Sequence, residues 1–391
     1  MTMTAATPDV VGAFDLSASR LETFIAGASF DRPTLVIDRS IVAGNFAALK
    51  AGLGHADIHY AVKANPAPEI IATLVGLGSH FDAASRGEIE LCLSLGARPE
   101  TISFGNTVKR PADIAFAHAA GLTLFAADSE EELKKIAENA PGASVYIRIL
   151  VENCEADWPL SRKFGCAPSK TVELLQLAQE LGLDPRGLSF HVGSQTRRAT
   201  MWTGVLDNVA GAWAAAREAG FALTLLNIGG GFPAFYGEEV DGKTEYASKV
   251  MELIHERFGI VPQIMAEPGR GLVADCGAIA AEVLLVSRKS NDDLHRWVYL
   301  DIGRFSGLAE TEGEAIRYQL ATAKDGQETG PCILAGPSCD SADVLYEKRP
   351  VQLPLGLECG DRVIIRNCGA YTSSYSSVGF NGFPPLAVIV I

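Results

Sequence analysis

The stretch 58–105, IHYAVKANPAPEIIATLVGLGSHFDAASRGEIELCLSLGARPETISFG, reads as strand, helix, strand, helix, strand. Three short apolar or β-branched runs, IHYAVKA (58–64), HFDAA (80–84) and TISFG (101–105), recur at intervals of about twenty residues. That interval is short for a strand–helix unit but sufficient for one. Working outward, the pattern continues through LTLFAA (122–127), SVYIRILV (144–151), GLSFHVG (187–193), LTLLNIGG (223–230) and QIMAEPG (263–269), which makes eight runs. Several intervening segments open with helix-start chemistry: Ser85 with Glu88 and Ser129 with Glu132 both match the S-x-x-E capping box. From Lys170 to Leu181 the apolar positions follow a helical period, and Gly182 stops it. Eight strand–helix alternations predict a (β/α)8, TIM-like barrel over residues 38–275.

Beyond residue 275 the pattern changes to β-rich segments, AIAAEVLLVSR, RWVYLDIG, CILAG, DRVIIRN and LAVIVI, separated by Gly, Pro and Asn turns. This predicts a second, mostly antiparallel β domain over 276–391. TLVIDRS (34–40) precedes the barrel pattern, so residues 1–37 are assigned to the same domain, which is then discontinuous. The fold class is α/β with an added β domain.

With 391 residues, 48% hydrophobic and 20% charged, and with no low-complexity tract, the chain is long enough and apolar enough to bury a full core. Its longest apolar stretches fall well short of the ~20 residues of a membrane helix, and the amino terminus lacks the basic-then-apolar layout of a secretory signal. The expected compartment is therefore the cytoplasm. Eight cysteines without a C-x-x-C pair suit reducing conditions. A net charge of −14 argues against nucleic-acid binding and favours cationic small molecules.

In such a barrel the carboxyl ends of the strands carry the chemistry. Here they bring Lys63, Asp82, Arg148, His191, Ser194, Gly229 to Gly231, Glu267 and Arg270. A lysine at a partly desolvated barrel mouth has a lowered pKa and can act as a nucleophile; alternatively Lys63 snorkels to the rim. The three glycines form either an anion nest for phosphate or a tight turn. Arg270 can bond the same phosphate, and Glu267 is placed to hold a protonated ring nitrogen. His191 is either a core histidine or a ring that stacks on a flat cofactor. His55 and His59, four apart, sit on a loop entering a strand and do not read as a metal site. Together, a lysine, a glycine-rich cradle, a carboxylate and an imidazole at separate strand ends point to pyridoxal 5′-phosphate (PLP).

The motifs YAVKANP, FDAASRGEIE, FHVGSQ, NIGGGFP, EPGRG, GPSCDSAD and GAYTSSYSSVGFNGFPP, in that order, resemble those of the fold-type III, alanine-racemase-like PLP decarboxylases. They are most similar to the bacterial ornithine/lysine decarboxylases, from about Thr34 to Phe383. The resemblance implies that Lys63 carries the coenzyme, with Asp82 beside it, that His191 stacks on its ring, and that Glu267 keeps the ring nitrogen protonated. It implies a phosphate cradle of Ser194, Gly229, Gly230, Gly231, Arg270 and Tyr371, with Arg148 as a further cofactor-site residue. It implies a homodimer in which Cys339, the acid that protonates the product carbanion, and Asp340 reach into the other subunit's barrel, with Phe380 lining the substrate. Lys163 and Asp343 resemble an ion pair across that interface. Without the resemblance, Cys339 reads as a buried thiol, and Lys163 and Asp343 as solvated charges.

For the substrate, an acid at Asp340 suits a distal ammonium. The stretch LDIGRFSGLAETEGEAI departs from the eukaryotic ornithine enzymes, which have a tyrosine near Phe305 and an aspartate further on. Glu314 is in ungapped register with that aspartate, and Glu310 is the other candidate for the distal amine. Ornithine and lysine differ by one methylene, worth ~1–3 kcal/mol of discrimination, so both are expected substrates. Two rivals are weaker: a racemase usually places an arginine at the position of Glu267, and a catalytically dead relative tends to lose the lysine or the cysteine, both present here.

Overall fold

The computed structural model describes residues 20–151 and 163–391. A short strand, β1 (Thr34–Ile37), leads into β2 (Asp57–Ala61), β3 (His80–Ala83), β4 (Ile102–Phe104), β5 (Leu124–Ala127), β6 (Ser144–Arg148), β7 (Asp184–Ser189), β8 (Leu225–Asn227) and β9 (Gln263–Ala266). Strands β2 to β9 pair in chain order and close into a barrel, and the pairings that close it at β2 are parallel like the rest. All eight sequence runs are therefore barrel strands.

Alternation along the strands sorts their side chains into two apolar compartments. Tyr60, Phe81, Phe104 and Phe125 point outward and join the large shell between strands and helices. Ala126, Tyr146, Leu225 and Met265 form a separate cluster that plugs the lumen. A filled lumen is a floor, so whatever polar chemistry the barrel carries is confined to its ends.

The strands stop earlier than the runs suggest. Lys63 lies in a single 3-10 turn, Val62–Ala64, while β7, β8 and β9 end before His191, the glycines and Glu267. Among the strand-end residues only Asp82 and Arg148 sit within strands. The helix at Arg86–Ser94 is capped as expected, with Ser85 Oγ accepting from the Glu88 N–H at 3.3 Å. Glu88 reaches back to the Ala84 N–H at 2.6 Å, one residue beyond the Ser85 N–H of a true capping box. Ser129 makes no side-chain cap. There the box is broken because Glu132 turns inward to the buried Lys109, 2.9 Å away, and to Lys135. The helix foreseen over 170–181 spans Thr171–Glu180.

The second sheet comprises β10 (Gly277–Ser287), β11 (Arg296–Leu300), β12 (Leu320–Thr322), β13 (Thr329–Ala335), β14 (Val351–Pro354), β15 (Arg362–Ile365) and β16 (Ala387–Val390), in the order β12-β15-β10-β11-β13-β14. β1 pairs antiparallel with β10 and parallel with β16, so it belongs to this sheet, as read from TLVIDRS. Apart from that pair and β11 with β13, the sheet is antiparallel. Strands β12 and β14 add to the β-rich segments read from the sequence: one is three residues long and the other ends on a proline, so neither carries an alternating run. Residues 1–19 of the expected β domain lie outside the described residues. No described helix is long and apolar enough to cross a membrane, and seven described cysteines are unpaired thiols.

Candidate active site

The turn carrying Lys63 is held from both domains. Asn65 Nδ2 donates to Gly369 O at 2.7 Å, Tyr371 N to Ala64 O at 2.8 Å, and Tyr60 Oη to Asn65 O at 2.9 Å. The segment after β15 thus clamps the barrel's first loop. Lys63 Nζ stands 3.9 Å from Asp82 Oδ2. Asp82 is buried, and its other oxygen has no hydrogen-bond partner.

The electrostatics correct one expectation. Removal from water pulls the Lys63 ammonium down, but Asp82, then Tyr371 and Glu267, outweigh it, and the net shift is upward. The lysine, its side chain half exposed, is thus a stabilised cation, because the mouth is lined with acids. Burial pushes the Asp82 carboxyl up, against the pull of Lys63 and Arg148. Burial, helped by Asp82, also raises Glu267 to about 7.

Glu267 is aimed by a residue that sequence reasoning missed. Asn227, at the end of β8, donates from Nδ2 to Glu267 Oε1 at 2.5 Å and accepts from the Gly229 N–H at 2.9 Å. The Glu267 N–H in turn donates to Gly229 O at 2.7 Å. The glycine run and the carboxylate are therefore one hydrogen-bonded unit. Asn227 does lie in NIGGGFP, two residues before the first glycine, and that proximity was its signal. Tyr146, on the floor, left no such signal: it is buried, its hydroxyl has no partner, and burial with Glu267 and Asp82 nearby raises its pKa.

His191 accepts from the Gly193 N–H at Nδ1, 3.0 Å away, and burial, with Arg148 and Lys63 nearby, drives its pKa well below the usual range. It is a neutral, fixed, flat ring. A Cβ on Gly230 would come within 3.1 Å of His191 Nε2 and 2.8 Å of Glu267 O, so the backbone passes the ring only as glycine. Gly231 has φ +99° and would put a Cβ 2.6 Å from Val192 Cγ2.

Arg270 is buried in a ring of acceptors. Its Nη1 and Nη2 meet Glu310 at 2.8 and 2.6 Å, Nη1 reaches Tyr236 Oη at 3.1 Å, and Nε and Nη2 reach Ser194 Oγ at 3.2 and 3.1 Å. The Tyr371 ring lies 4.9 Å from the guanidinium. Ser194, Arg270 and Tyr371 are thus neighbours. Arg148 lies over Phe164 at 5.1 Å and Lys163 over the same ring at 4.9 Å.

Both acids named for a distal amine are engaged within the chain. Glu310 is the counter-ion of Arg270, with side-chain exposures of 6% and 2%. Glu314 is 6% exposed and spends its oxygens on Arg317 at 2.7 Å, Arg349 Nε at 3.2 Å and the N–H groups of Lys348 and Arg349. Burial raises Glu314, but those N–H bonds outweigh it and its pKa is lowered. Register along the chain could not show which direction its side chain takes.

The remaining predicted residues form a second group. Cys339 is exposed, not buried, and donates from N–H and thiol to Asn381 Oδ1 at 3.2 and 3.5 Å. Phe380 packs on Phe305 with ring centres 4.6 Å apart. Asp340 is exposed and accepts from the Ala342 N–H at 2.8 Å. Asp343, expected as a solvated or interface charge, is 3% exposed. It accepts from Arg304 N at 2.7 Å and from Ser338 Oγ and N at 2.7 and 3.2 Å. A bond to Lys163 across a dimer would have to compete with these donors.

A flat neutral imidazole, a side-chain-free cradle and a half-buried carboxylate that holds a proton near neutrality fit a phosphorylated pyridine aldehyde, as does a lysine amine beside a partly unpaired carboxylate. Residues 39–274 match the family described as pyridoxal-dependent decarboxylase, pyridoxal binding domain, and the chain belongs to the PLP-dependent decarboxylases. Its cofactor is PLP. The chain is 34% identical over 373 residues to a lysine/ornithine decarboxylase of Selenomonas ruminantium, covering 95% of this chain and 92% of that one. The lysine/ornithine decarboxylase of Vibrio vulnificus, solved with cadaverine, superposes with a TM-score of 0.83 at 32% identity, covering 95% and 97% of the two chains. An arginine decarboxylase of Paramecium bursaria Chlorella virus, bound to agmatine, reaches 0.84 at 28% identity, covering 95% and 100%. The same fold thus serves different basic amino acids.

Proposed function

We propose that this protein decarboxylates L-ornithine, L-lysine or both, releasing carbon dioxide and putrescine or cadaverine for polyamine synthesis in the cytoplasm. The observation that carries the reading is the convergence of Lys63, Asp82, His191, Glu267 and the Gly229–Gly231 run at one barrel mouth. When bound, PLP supplies an electron-poor ring that accepts the electron pair left by departing carbon dioxide. Lys63 supplies the amine that carries the coenzyme. Glu267 holds the proton on the ring nitrogen, and Asn227 fixes the carboxylate that does so. His191, neutral and flat, supports the ring face without adding a competing charge. Ser194, the glycine amides, Arg270 and Tyr371 hold the phosphate, with Asp82 and Arg148 setting the local field.

Cys339 delivers the proton to the substrate α-carbon, and Asp340 is the carboxylate that receives the distal ammonium, now that Glu310 and Glu314 are engaged elsewhere. Both stand beside the Phe380 turn on exposed, neighbouring segments, which supports a homodimer in which each site borrows these segments from the other subunit. The acidic net charge favours a cationic substrate over nucleic acid.

The test is carbon dioxide release by the purified protein from ornithine, lysine, arginine and diaminopimelate. Activity on ornithine or lysine is expected; activity confined to arginine or diaminopimelate would overturn the substrate. Mixing Lys63→Ala with Cys339→Ala should restore part of the activity through hybrid dimers. No recovery despite proven subunit exchange would remove the shared site.

A further inference from the structure

Glu310 in LAETEGEAI is the other candidate for the distal amine, but its carboxylate lies on Arg270. The pairing is end-on and bidentate, Oε2 to Nη1 at 2.8 Å and Oε1 to Nη2 at 2.6 Å. A guanidinium has five N–H groups. The other three go to Tyr236 Oη, once, and to Ser194 Oγ, twice. All five are satisfied, yet not equally. Ser194 Oγ is a neutral hydroxyl shared by two donors, whereas the Glu310 contacts are charge-assisted and short.

We propose that Glu310 is a positioning residue for the coenzyme's phosphate, acting through Arg270: it occupies the Nη1/Nη2 end of the fork so that the Nε/Nη2 edge, held by Ser194 Oγ, is the one offered to a phosphate oxygen. The proposal rests on the PLP reading of the site. Its physical basis is twofold. A dianionic phosphate oxygen outcompetes a shared neutral hydroxyl but not a bidentate carboxylate. A guanidinium this deeply buried also needs a counter-charge before the coenzyme arrives, and Glu310 supplies it.

The carboxylate is itself anchored. Glu310 sits in the turn Ala309–Glu314, whose last residue has φ +61° and is tied to Lys348, Arg349 and Arg317. Ile316 N closes the turn on Glu310 O at 3.1 Å. The β domain therefore sets the orientation of a barrel arginine, so this turn acts on the coenzyme rather than on the substrate's far end.

The experiment compares two probes, PLP and pyridoxal, which lacks the phosphate, binding to coenzyme-depleted protein. In Glu310→Gln the PLP dissociation constant should rise about tenfold or more, while that of pyridoxal stays within about twofold. The bound phosphorus resonance should shift. In an Arg270→Gln background the Glu310→Gln change should add less than about twofold, since the two act as one unit. Glu310→Asp, which keeps the charge on a shorter arm, should regain part of the affinity and serves as the comparison if Glu310→Gln does not fold. Equal losses for both probes would mean a merely structural role. An unmoved PLP constant with a raised KM for ornithine or lysine would return Glu310 to the substrate, and either result overturns the proposal. An unaltered chain that does not bind PLP would sink the parent reading; normal wild-type binding with an insensitive Glu310→Gln would sink only this one.

Discussion

The barrel mouth and the Cys339 segment are built on opposite plans. At the mouth the chain engages its own polar groups: Asn227 joins Glu267 to Gly229, Gly193 fixes His191, and Arg270 spends all its donors, while one Asp82 oxygen stays unpartnered. On the segment, Cys339 leans on Asn381, and Val378, Phe380 and Phe383 show 83%, 36% and 37% of their surface. A preorganised site stabilises developing charge without paying for reorganisation during the reaction. Chemistry and apolar surface displayed outward are suited to completing something else. The contrast matches the shared site proposed above, in which one chain builds the coenzyme half and presents the substrate half to a neighbour.

Three substitutions break or sharpen that contrast. Lys63→Ala at the mouth should lower kcat by about 10⁴-fold and abolish the coloured, borohydride-reducible attachment of coenzyme. A borohydride label that persists in this variant would place the attachment elsewhere. Cys339→Ala on the segment should cost about 10²-fold in kcat, the scale of a lost general acid, while coenzyme absorbance stays as in the unaltered protein. Loss of coenzyme binding there would show that the two halves are not separable.

The smallest effect is a stability slope. Glu267 sits at about 7 in the folded chain against 4.5 ordinarily. Between those values the folded chain holds a proton that the unfolded chain has released, so this contribution is present below about pH 4.5 and is lost as pH rises through about 7. Glu267→Gln should flatten that part of the melting-temperature profile by about 2–4 °C. Parallel profiles for variant and parent would show that Glu267 does not titrate in this window.

Much of this was legible along the chain. The eight runs, the discontinuous second sheet and the residues from Lys63 to Arg270 follow from periodicity and from motifs local enough to be read in a few residues. What misled was local too. Ser129 and Glu132 have capping-box spacing, but a buried lysine from the neighbouring loop competes for the glutamate and wins. Lys63 looks like a desolvated lysine until three acidic groups from distant parts of the chain are brought around it.

The sequence by itself determined the barrel, the class of coenzyme and the list of groups at its mouth, because strand and helix periods and glycine-only backbone are properties of neighbouring residues. Only the tertiary structure decided how Glu310 and Glu314 are used and that Asp343 is enclosed. It alone revealed Asn227 as the support of Glu267. Each of these depends on which charge or donor, distant in the chain, arrives within hydrogen-bonding distance, and such bonds weaken too steeply with geometry for order along the chain to specify them.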